Sequence, residues 1–399
     1  MAGATPRSTT GRVAAAAYDH PTSKQAVASG VVEPEALSVT HWFDSGPHGE
    51  PYSASIRFIG RRAGITGKPT PRDSFVKEET IDRIVPGSGP VSVTTWVYEL
   101  QPGEWLVTAE LIRLPSGAGD HRRPGGVKFT GSHTLPRAAW SWRRWAISTG
   151  PFTPVKTRWA PLVRLAKMPA VIRGSWTGLL ALGVVVGLIV QAAFLARERV
   201  PVGQSLFVIL LALVAGLIGA KLWYVVQHPR LWREQITEGW AVDGFLAAAA
   251  AVAAVALLAF SLPIGVFLDA ITPGLFFGVA VGRLGCFFIG CCAGRCTASR
   301  WGVWSSDRRV GARRIPTQLL ESATGLLIGV GTALLVFRYS PALHGAIFVA
   351  AFATYVLVRQ FLLRLRADPH KSPIRASLTA AAAALVLAAD AVVLLVQAT

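Results

Sequence analysis

The chain has 399 residues, a formal net charge of +18 and a mean hydropathy of +0.44. Long runs of Ala, Leu, Val, Gly and Phe follow residue 174, whereas Pro, Gly, Thr and charged residues are frequent before it. The apolar second region excludes a protein that is soluble throughout. Much of the basic charge lies just before the first apolar run or between later runs, so we expect contact with anionic lipid and none with nucleic acid.

The first 32 residues carry two arginines and the small-residue tract Ala14–Ala17. They contain no apolar core of the length that a secretory signal requires. We therefore expect residues 1–32 to be disordered and to include no cleavable signal.

Alternating apolar residues predict β-strands between residues 33 and 133. Tyr52–Ile59 alternates, and Val91–Leu100 and Trp105–Leu114 flank a Pro-Gly turn. This connection resembles the Leu-x-Pro-Gly-x-Tyr corner of fibronectin type III domains, with Trp105 in place of the tyrosine. The pattern predicts a small all-β domain over 33–133, a sandwich of the immunoglobulin or fibronectin III type.

Residues 134–174 combine four tryptophans with eight Lys or Arg residues and contain no acidic residue. Tryptophan and basic side chains are enriched where a protein meets lipid headgroups. We expect this segment to be a linker at the membrane interface.

Seven apolar stretches follow, each close to the twenty or so residues that a helix needs to cross the hydrocarbon. They cover residues 176–196, 205–226, 241–262, 264–290, 317–337, 344–363 and 377–397. Residues 175–399 are therefore predicted to be a polytopic α-helical membrane domain of about seven spans.

Ionisable residues inside these spans are candidates for function, because burying a charge in hydrocarbon is costly. They are Lys221, Asp243, Asp269, Arg283, Glu321, Arg359 and Asp390. Arg283 and Arg359 are the best candidates to bind phosphate, since a guanidinium stays charged and can donate two parallel hydrogen bonds. Tyr355 lies four residues before Arg359, so both occupy one helical face.

Several motifs around these residues occur in one order over residues 175–398. They are Gly219-Ala-Lys-Leu-Trp-Tyr224, Asp269-Ala-Ile-Thr-Pro273, Gly282-Arg283-Leu-Gly285, Trp301-Gly302, Pro316-Thr-Gln318-Leu-Leu-Glu321, Gly345 and Tyr355-x-x-x-Arg359. With these motifs the chain resembles the prolipoprotein diacylglyceryl transferase family. The first 170 residues lie outside the resemblance.

The resemblance implies transfer of a diacylglyceryl group from phosphatidylglycerol to the lipobox cysteine of a prolipoprotein, with glycerol phosphate as leaving group. It implies that Arg283 and Arg359 hold the phosphate and its developing charge, while Tyr355 binds the headgroup or assists proton transfer. Further residues are expected to line the substrate site: Gly282, Gly285, Gly294, Arg295, Gln318 and Glu321. No cofactor and no metal are expected.

The chain departs from the family pattern at the expected site itself. Asp243 stands where the family has a histidine that is thought to act as the base, so Asp243 is the candidate base or, equally, a carboxylate paired with an arginine. Cys286 and Cys291 stand where the family has an asparagine and a glutamate. An alternative is a catalytically altered relative that binds phospholipid or modifies another acceptor; a transporter is weaker, since no internal repeat is visible.

All four cysteines, Cys286, Cys291, Cys292 and Cys296, fall within eleven residues. Their spacing does not match common zinc motifs. They are interpreted as small apolar fillers, with a local cluster as the alternative.

Two arguments about orientation disagree. Lys and Arg are more frequent in the loops after the second, fourth and sixth spans, which by the positive-inside rule places the N-terminus in the cytoplasm. The family resemblance implies an N-terminus outside a bacterial plasma membrane. We adopt the family orientation, with the front domain extracytoplasmic, because loop arginines that bind phosphate would distort the charge count.

Overall fold

The computed structural model describes residues 36–101, 103–114, 128–129, 140–141, 144–149, 168–227, 240–338, 344–367 and 373–398. The disorder expected for residues 1–32 lies outside the described residues, as does most of the expected interfacial linker.

The described residues of the front region form two β-sheets, which confirms the all-β prediction. Its strands are β1 (Ala36–Asp44), β2 (Tyr52–Arg62), β3 (Ser74–Ile84), β4 (Pro90–Tyr98), β5 (Trp105–Leu114), β6 (Lys128–Phe129), β7 (Trp140–Ser141) and β8 (Arg144–Thr149). One sheet has the order β3-β2-β5-β6, and the other contains β7-β8-β1-β4 and continues into two later strands. Neighbouring strands are antiparallel except β1 and β8, which are parallel.

Apolar side chains from both sheets form one core, because alternate residues along each strand point to the same face. Val39, Ile56, Phe58 and Val93 are fully buried in it, as is Trp105. The Trp105 indole N–H donates to the Gln101 carbonyl, 3.2 Å away, so the tryptophan ties the start of β5 to the preceding turn. A tyrosine corner closes a sandwich in the same manner.

The later two strands come from the membrane region of the chain. β9 (Val303–Ser306) and β10 (Val310–Arg314) form a hairpin, and β10 pairs with β4 through Val310 and Gly311. Trp304 stacks on Trp42 with ring centroids 5.3 Å apart and donates its indole N–H to the Pro90 carbonyl at 2.9 Å. The β-domain is therefore completed by a loop of the helical domain, and the sheet also includes Trp140–Ser141 and Arg144–Thr149 of the expected linker.

Within the described residues, seven apolar helices follow, which confirms the predicted number and order of spans. They are α1 (Ser175–Arg197), α2 (Val202–Gln227), α3 (Val242–Ala259), α4 (Ile264–Ile289), α5 (Thr317–Arg338), α6 (Ala346–Leu363) and α7 (Pro373–Ala398). The protein is thus a multi-pass membrane protein with an all-β domain in front.

Helix α4 is the centre of the bundle and packs on α1, α5 and α6. Glycines allow α1 and α4 to cross at backbone contact: a Cβ on Gly183 would lie 2.7 Å from the Gly278 carbonyl oxygen, and one on Gly274 would lie 2.5 Å from that of Gly187. Small residues are the usual means of close helix packing in membranes. The helix α4 is consequently held on several sides.

Asp269 has a structural role at the start of α6. Its carboxylate accepts the backbone N–H groups of Gly345 at 2.7 Å and Phe348 at 3.0 Å. The first N–H groups of a helix have no partner within the helix, so Asp269 caps α6 from the neighbouring α4. Asp269 lies 14 residues before Arg283 on α4, about 21 Å along the axis, and does not belong to the same site.

Backbone hydrogen bonds join the end of α4 to the start of α1 and to the end of α6. The Ile172 N–H donates to the Phe288 carbonyl at 2.8 Å, and the Arg295 N–H to the Leu365 carbonyl at 2.9 Å. The β9–β10 hairpin leaves from this same end of the bundle, which we call the sheet-side end. The β-domain therefore sits at the end of the bundle where α4 ends and α5 begins.

Replacing Trp105 by alanine is expected to destabilise the β-domain by about 3–5 kcal/mol, because truncating a buried tryptophan leaves a large cavity. Leu106, the next residue on β5, is 48% exposed and is the control; its alanine variant is expected to change stability by less than about 0.5 kcal/mol. Pulse proteolysis of the full chain in detergent measures both. Equal protease resistance of the two variants would show that the Trp105 corner does not stabilise the β-domain.

Candidate functional site

Two arginines from different helices converge on one buried glutamate near the sheet-side end. The Arg283 Nη1 on α4 lies 2.9 Å from Glu321 Oε2 on α5, and the Arg359 Nη1 on α6 lies 3.4 Å from Glu321 Oε1. The Glu321 side chain is 2% exposed, whereas those of Arg283 and Arg359 are 19% and 28% exposed. We call this group the arginine–glutamate triad.

The triad carries one more positive charge than its single carboxylate balances. Arg359 donates a hydrogen bond to Oε1, whereas the Arg283 contact to Oε2 is an ion pair without an aligned N–H. Each guanidinium has five N–H donors, so most of them are not used by Glu321. A bound anion at this place would find donors and a net positive charge.

Tyr355 lies beside the triad. It lies one helical turn before Arg359 on α6, its ring packs edge-on against Phe276 with centroids 5.5 Å apart, and its phenol lies against the Arg283 guanidinium. The structure thus brings together three of the four residues expected to act in catalysis, namely Arg283, Tyr355 and Arg359. Their roles stay predictions.

The Gln318 side chain is hydrogen-bonded to the loop that follows α4. Its amide N–H donates to the Cys291 carbonyl at 2.8 Å, and its amide oxygen lies 3.4 Å from the Thr317 hydroxyl. The neighbouring Thr317 hydroxyl donates to the Cys292 carbonyl at 3.0 Å. Gln318, expected to contact substrate, orders this loop beside the triad.

The three glycines expected at the substrate site have different surroundings. A Cβ on Gly294 would collide with the Ile315 carbonyl oxygen, and one on Gly285 would lie 3.1 Å from the Cα of Trp176. These two glycines therefore permit close contact with protein backbone. A Cβ on Gly282 would meet only a Leu180 methyl group at 3.9 Å, so there is open space on that side of the helix.

Arg295 and the arginines of the β9–β10 hairpin hold the loops together. Arg295 is exposed and donates from Nε to the Arg366 carbonyl at 3.2 Å. Arg308 donates to the Ile289 carbonyl at 3.0 Å, and Arg314 pairs with Asp307 at 2.7 Å. Sequence interpretation assigned phosphate binding to such loop arginines, whereas these contacts fix the fold around the triad.

Asp243 lies apart from the triad, on a different pair of helices. It opens α3, which packs on α2, and Gly244 fits against Gly219 and Trp223 at that crossing. Its side chain is exposed, and among the described residues none is joined to it by a hydrogen bond or ion pair. Lys221 on α2 instead lies over the Trp240 ring at 5.3 Å. The role of Asp243 as a base stays a prediction.

Three cysteines form a cluster that sequence interpretation left open. The sulfur atoms of Cys286, Cys291 and Cys292 all lie within 4.8 Å of one another. Helix α4 ends at Ile289 and is capped by Gly290, whose φ of +73° turns the chain back, so that Cys291 and Cys292 return to the helix end. The glycine just before a Cys-Cys pair was the available signal. Cys296 lies outside this group.

The residues 168–397 match a family model described as prolipoprotein diacylglyceryl transferase. Three similar proteins carry the name phosphatidylglycerol–prolipoprotein diacylglyceryl transferase. One from Leifsonia xyli is 29% identical over 251 residues, 55% of this chain and 74% of the relative. One from Clostridioides difficile is 25% identical (48% and 79% covered), and one from Clostridium perfringens, numbered 2, is 27% identical (41% and 67% covered).

The Glu321→Gln variant is expected to lower the free energy of unfolding by about 3 kcal/mol, because it leaves two neighbouring guanidinium groups without a counter-charge. Adding Arg359→Gln should restore part of that loss by removing the repulsion. The control is Thr324→Ala on the same helix, whose hydroxyl donates to the Leu320 carbonyl one turn before it. Unfolding in SDS titrations measures all three, and an unchanged Glu321→Gln protein would show that the triad does not stabilise the bundle.

Proposed function

We propose, for a chain that belongs to the prolipoprotein diacylglyceryl transferase family, that it transfers a diacylglyceryl group from phosphatidylglycerol to a cysteine thiol in the lipobox of a prolipoprotein. The observation that carries this proposal is the arginine–glutamate triad. Its location near one end of the spans suits a substrate whose phosphate lies at the membrane surface and whose acyl chains lie in the hydrocarbon.

The chemistry requires an electrophile that is bound through its phosphate. Arg283 and Arg359 bind the phosphate oxygens with charge-assisted hydrogen bonds, while Glu321 keeps both guanidinium groups oriented. Negative charge grows on the phosphate as the glyceryl C–O bond breaks. Fixed positive charges then stabilise the transition state more than the ground state.

The acceptor supplies the nucleophile. Its cysteine thiolate attacks the glyceryl carbon next to the phosphate, a C–S bond forms, and glycerol phosphate leaves with the electron pair of the C–O bond. Tyr355 donates a hydrogen bond to the headgroup beside Arg283. Asp243, exposed at the sheet-side end, is the proposed base that passes the thiol proton on to bulk water.

The β-domain suits a role in binding the acceptor. It sits at the sheet-side end, joined to the loop between α4 and α5 through β10 and Trp304. A secreted acceptor meets the enzyme outside the cytoplasm, so we place this end on the outer face of a bacterial plasma membrane.

A second candidate is a relative that binds phospholipid without transferring it. It is favoured by the separation of Asp243 from the triad and by the cysteines that replace the asparagine and glutamate of the family pattern. Such a protein would retain phosphatidylglycerol through Arg283 and Arg359 and release no glycerol phosphate.

Transfer of radiolabelled diacylglyceryl from phosphatidylglycerol to a lipobox peptide by the purified protein tests the proposal. Arg283→Gln is expected to lower the rate by about 10²–10³-fold, the usual effect of removing one group that stabilises developing charge. Arg300→Gln, which removes an arginine that lies over the Trp301 ring, is the control and should keep the wild-type rate. Full activity of Arg283→Gln would refute the assignment, and bound lipid without transfer by the wild type would favour the second candidate.

The orientation can be tested separately. A protease site inserted into the exposed turn at residues 47–50 of the β-domain is expected to be cut in intact spheroplasts. Protection in spheroplasts with cleavage in inverted vesicles would place the β-domain in the cytoplasm. A protease site after α1, at residues 198–201, should give the opposite result to the first insertion and serves as its control.

A further inference from the structure

The cluster of Cys286, Cys291 and Cys292 is held in a fixed geometry by its surroundings. Cys286 belongs to the last turn of α4, and its carbonyl accepts the Cys291 N–H at 3.0 Å. Cys292 has a positive φ of 57°, which points the chain back across the helix end. Non-glycine residues adopt this backbone region at a cost and are kept there by other contacts.

Those contacts come from the start of α5. Gln318 binds the Cys291 carbonyl at 2.8 Å, and Thr317 binds the Cys292 carbonyl at 3.0 Å. Both cysteines that lie outside the helix are therefore oriented through their own backbone. Supporting hydrogen bonds of this kind are typical of sites that bind a ligand with defined geometry.

The cluster and the triad share two helices. Arg283 precedes Cys286 by three residues on α4, and Gln318 precedes Glu321 by three residues on α5, so each pair occupies one helical face. The cluster therefore lies next to the triad at the sheet-side end.

The three sulfur atoms have the spacing of a metal site, and the burial of the three cysteines suits a site that is open on one side. Zinc binds thiolate sulfur at about 2.3 Å, which in a tetrahedral site separates the sulfurs by about 3.8 Å, within the limit that the cluster shows. Cys286 is buried, whereas Cys291 and Cys292 are partly exposed. Three protein ligands and one accessible side are the arrangement of catalytic zinc, because a closed structural site has four protein ligands.

We propose that Cys286, Cys291 and Cys292 bind one Zn²⁺ ion, whose fourth position takes the thiol of the acceptor cysteine. This inference rests on the proposed function and specifies how that reaction obtains its nucleophile. A thiol that coordinates zinc is deprotonated at neutral pH. The metal thereby supplies the thiolate that a histidine base would otherwise generate.

The step balances without an oxidant or reductant. The acceptor S–H loses its proton to water at the sheet-side end when sulfur binds zinc, the zinc-bound sulfur forms a C–S bond to the glyceryl carbon, and the C–O bond breaks with its electron pair leaving on glycerol phosphate. The neutral thioether is a weaker zinc ligand than a thiolate, so the product dissociates and the fourth position opens again.

The test measures metal binding separately from transfer. Reduced full-length protein in detergent is freed of metal with a chelator and titrated with Cd²⁺, followed by the ultraviolet sulfur-to-cadmium band, and zinc content is measured by mass spectrometry. One equivalent per chain is expected. Cys291→Ser and Cys292→Ser should each weaken binding more than about tenfold, and Cys296→Ser is the matched control that should bind as the wild type does.

Transfer by the same samples distinguishes the possible failures. Metal-free protein is expected to lose activity at least about tenfold and to regain it with Zn²⁺. No metal bound, or equal binding by Cys292→Ser, overturns the site. One metal bound with undiminished transfer after chelation overturns the activation step and leaves the proposed function standing. One metal bound through these cysteines, with no transfer under any condition, supports the site and refutes the proposed function.

Melting temperatures of each variant with and without Zn²⁺ show whether a variant that binds no metal is still folded. Zinc should raise the melting temperature of the wild type and of Cys296→Ser, because a ligand stabilises the state that binds it. It should leave that of Cys292→Ser unchanged. A zinc-dependent rise in Cys292→Ser equal to that of the wild type would contradict the site.

Discussion

A carboxylate buried at 2% exposure between two guanidinium groups is the interaction on which the sheet-side end of the bundle depends. A lone buried charge is costly in an apolar interior, and two neighbouring arginines alone would repel each other. Together they join α4, α5 and α6, and they leave one unit of positive charge in excess. The triad therefore holds the three helices together and also offers a binding site for an anion. The phosphate of a membrane lipid has the charge that this site requires and lies at the same depth in the membrane.

Helix α4 connects the arginine–glutamate triad to the rest of the molecule. It packs on α1 through glycines, caps α6 through Asp269 at one end, and carries Arg283 and Cys286 near the other. The loop that follows it contributes two more cysteines and then the hairpin that completes the β-domain. A single helix thus positions the expected phosphate-binding group, the thiol cluster and the extramembrane domain relative to one another.

The helices and the β-domain could be predicted because their signals are local: seven apolar runs for α1–α7, and strand alternation with the Trp105 corner for the sheets. The order of the motifs and the four-residue spacing of Tyr355 and Arg359 were enough to predict that these two side chains and Arg283 lie close together. The pairing of β10 with β4 was not, since over 200 residues separate them and no local pattern specifies such a register. The thiol cluster was predicted only as the alternative because zinc motifs assume fixed spacings, whereas here a turn at Gly290 sets the geometry.

The central claim is that the arginine–glutamate triad binds the phosphate of an anionic phospholipid. Native mass spectrometry of the protein released from vesicles that contain equal amounts of phosphatidylglycerol and phosphatidylcholine tests it most directly. The wild type should retain one phosphatidylglycerol molecule preferentially, and a variant with Arg283→Gln and Arg359→Gln should lose that preference while keeping its fold. Equal retention of phosphatidylglycerol by both proteins would contradict the claim.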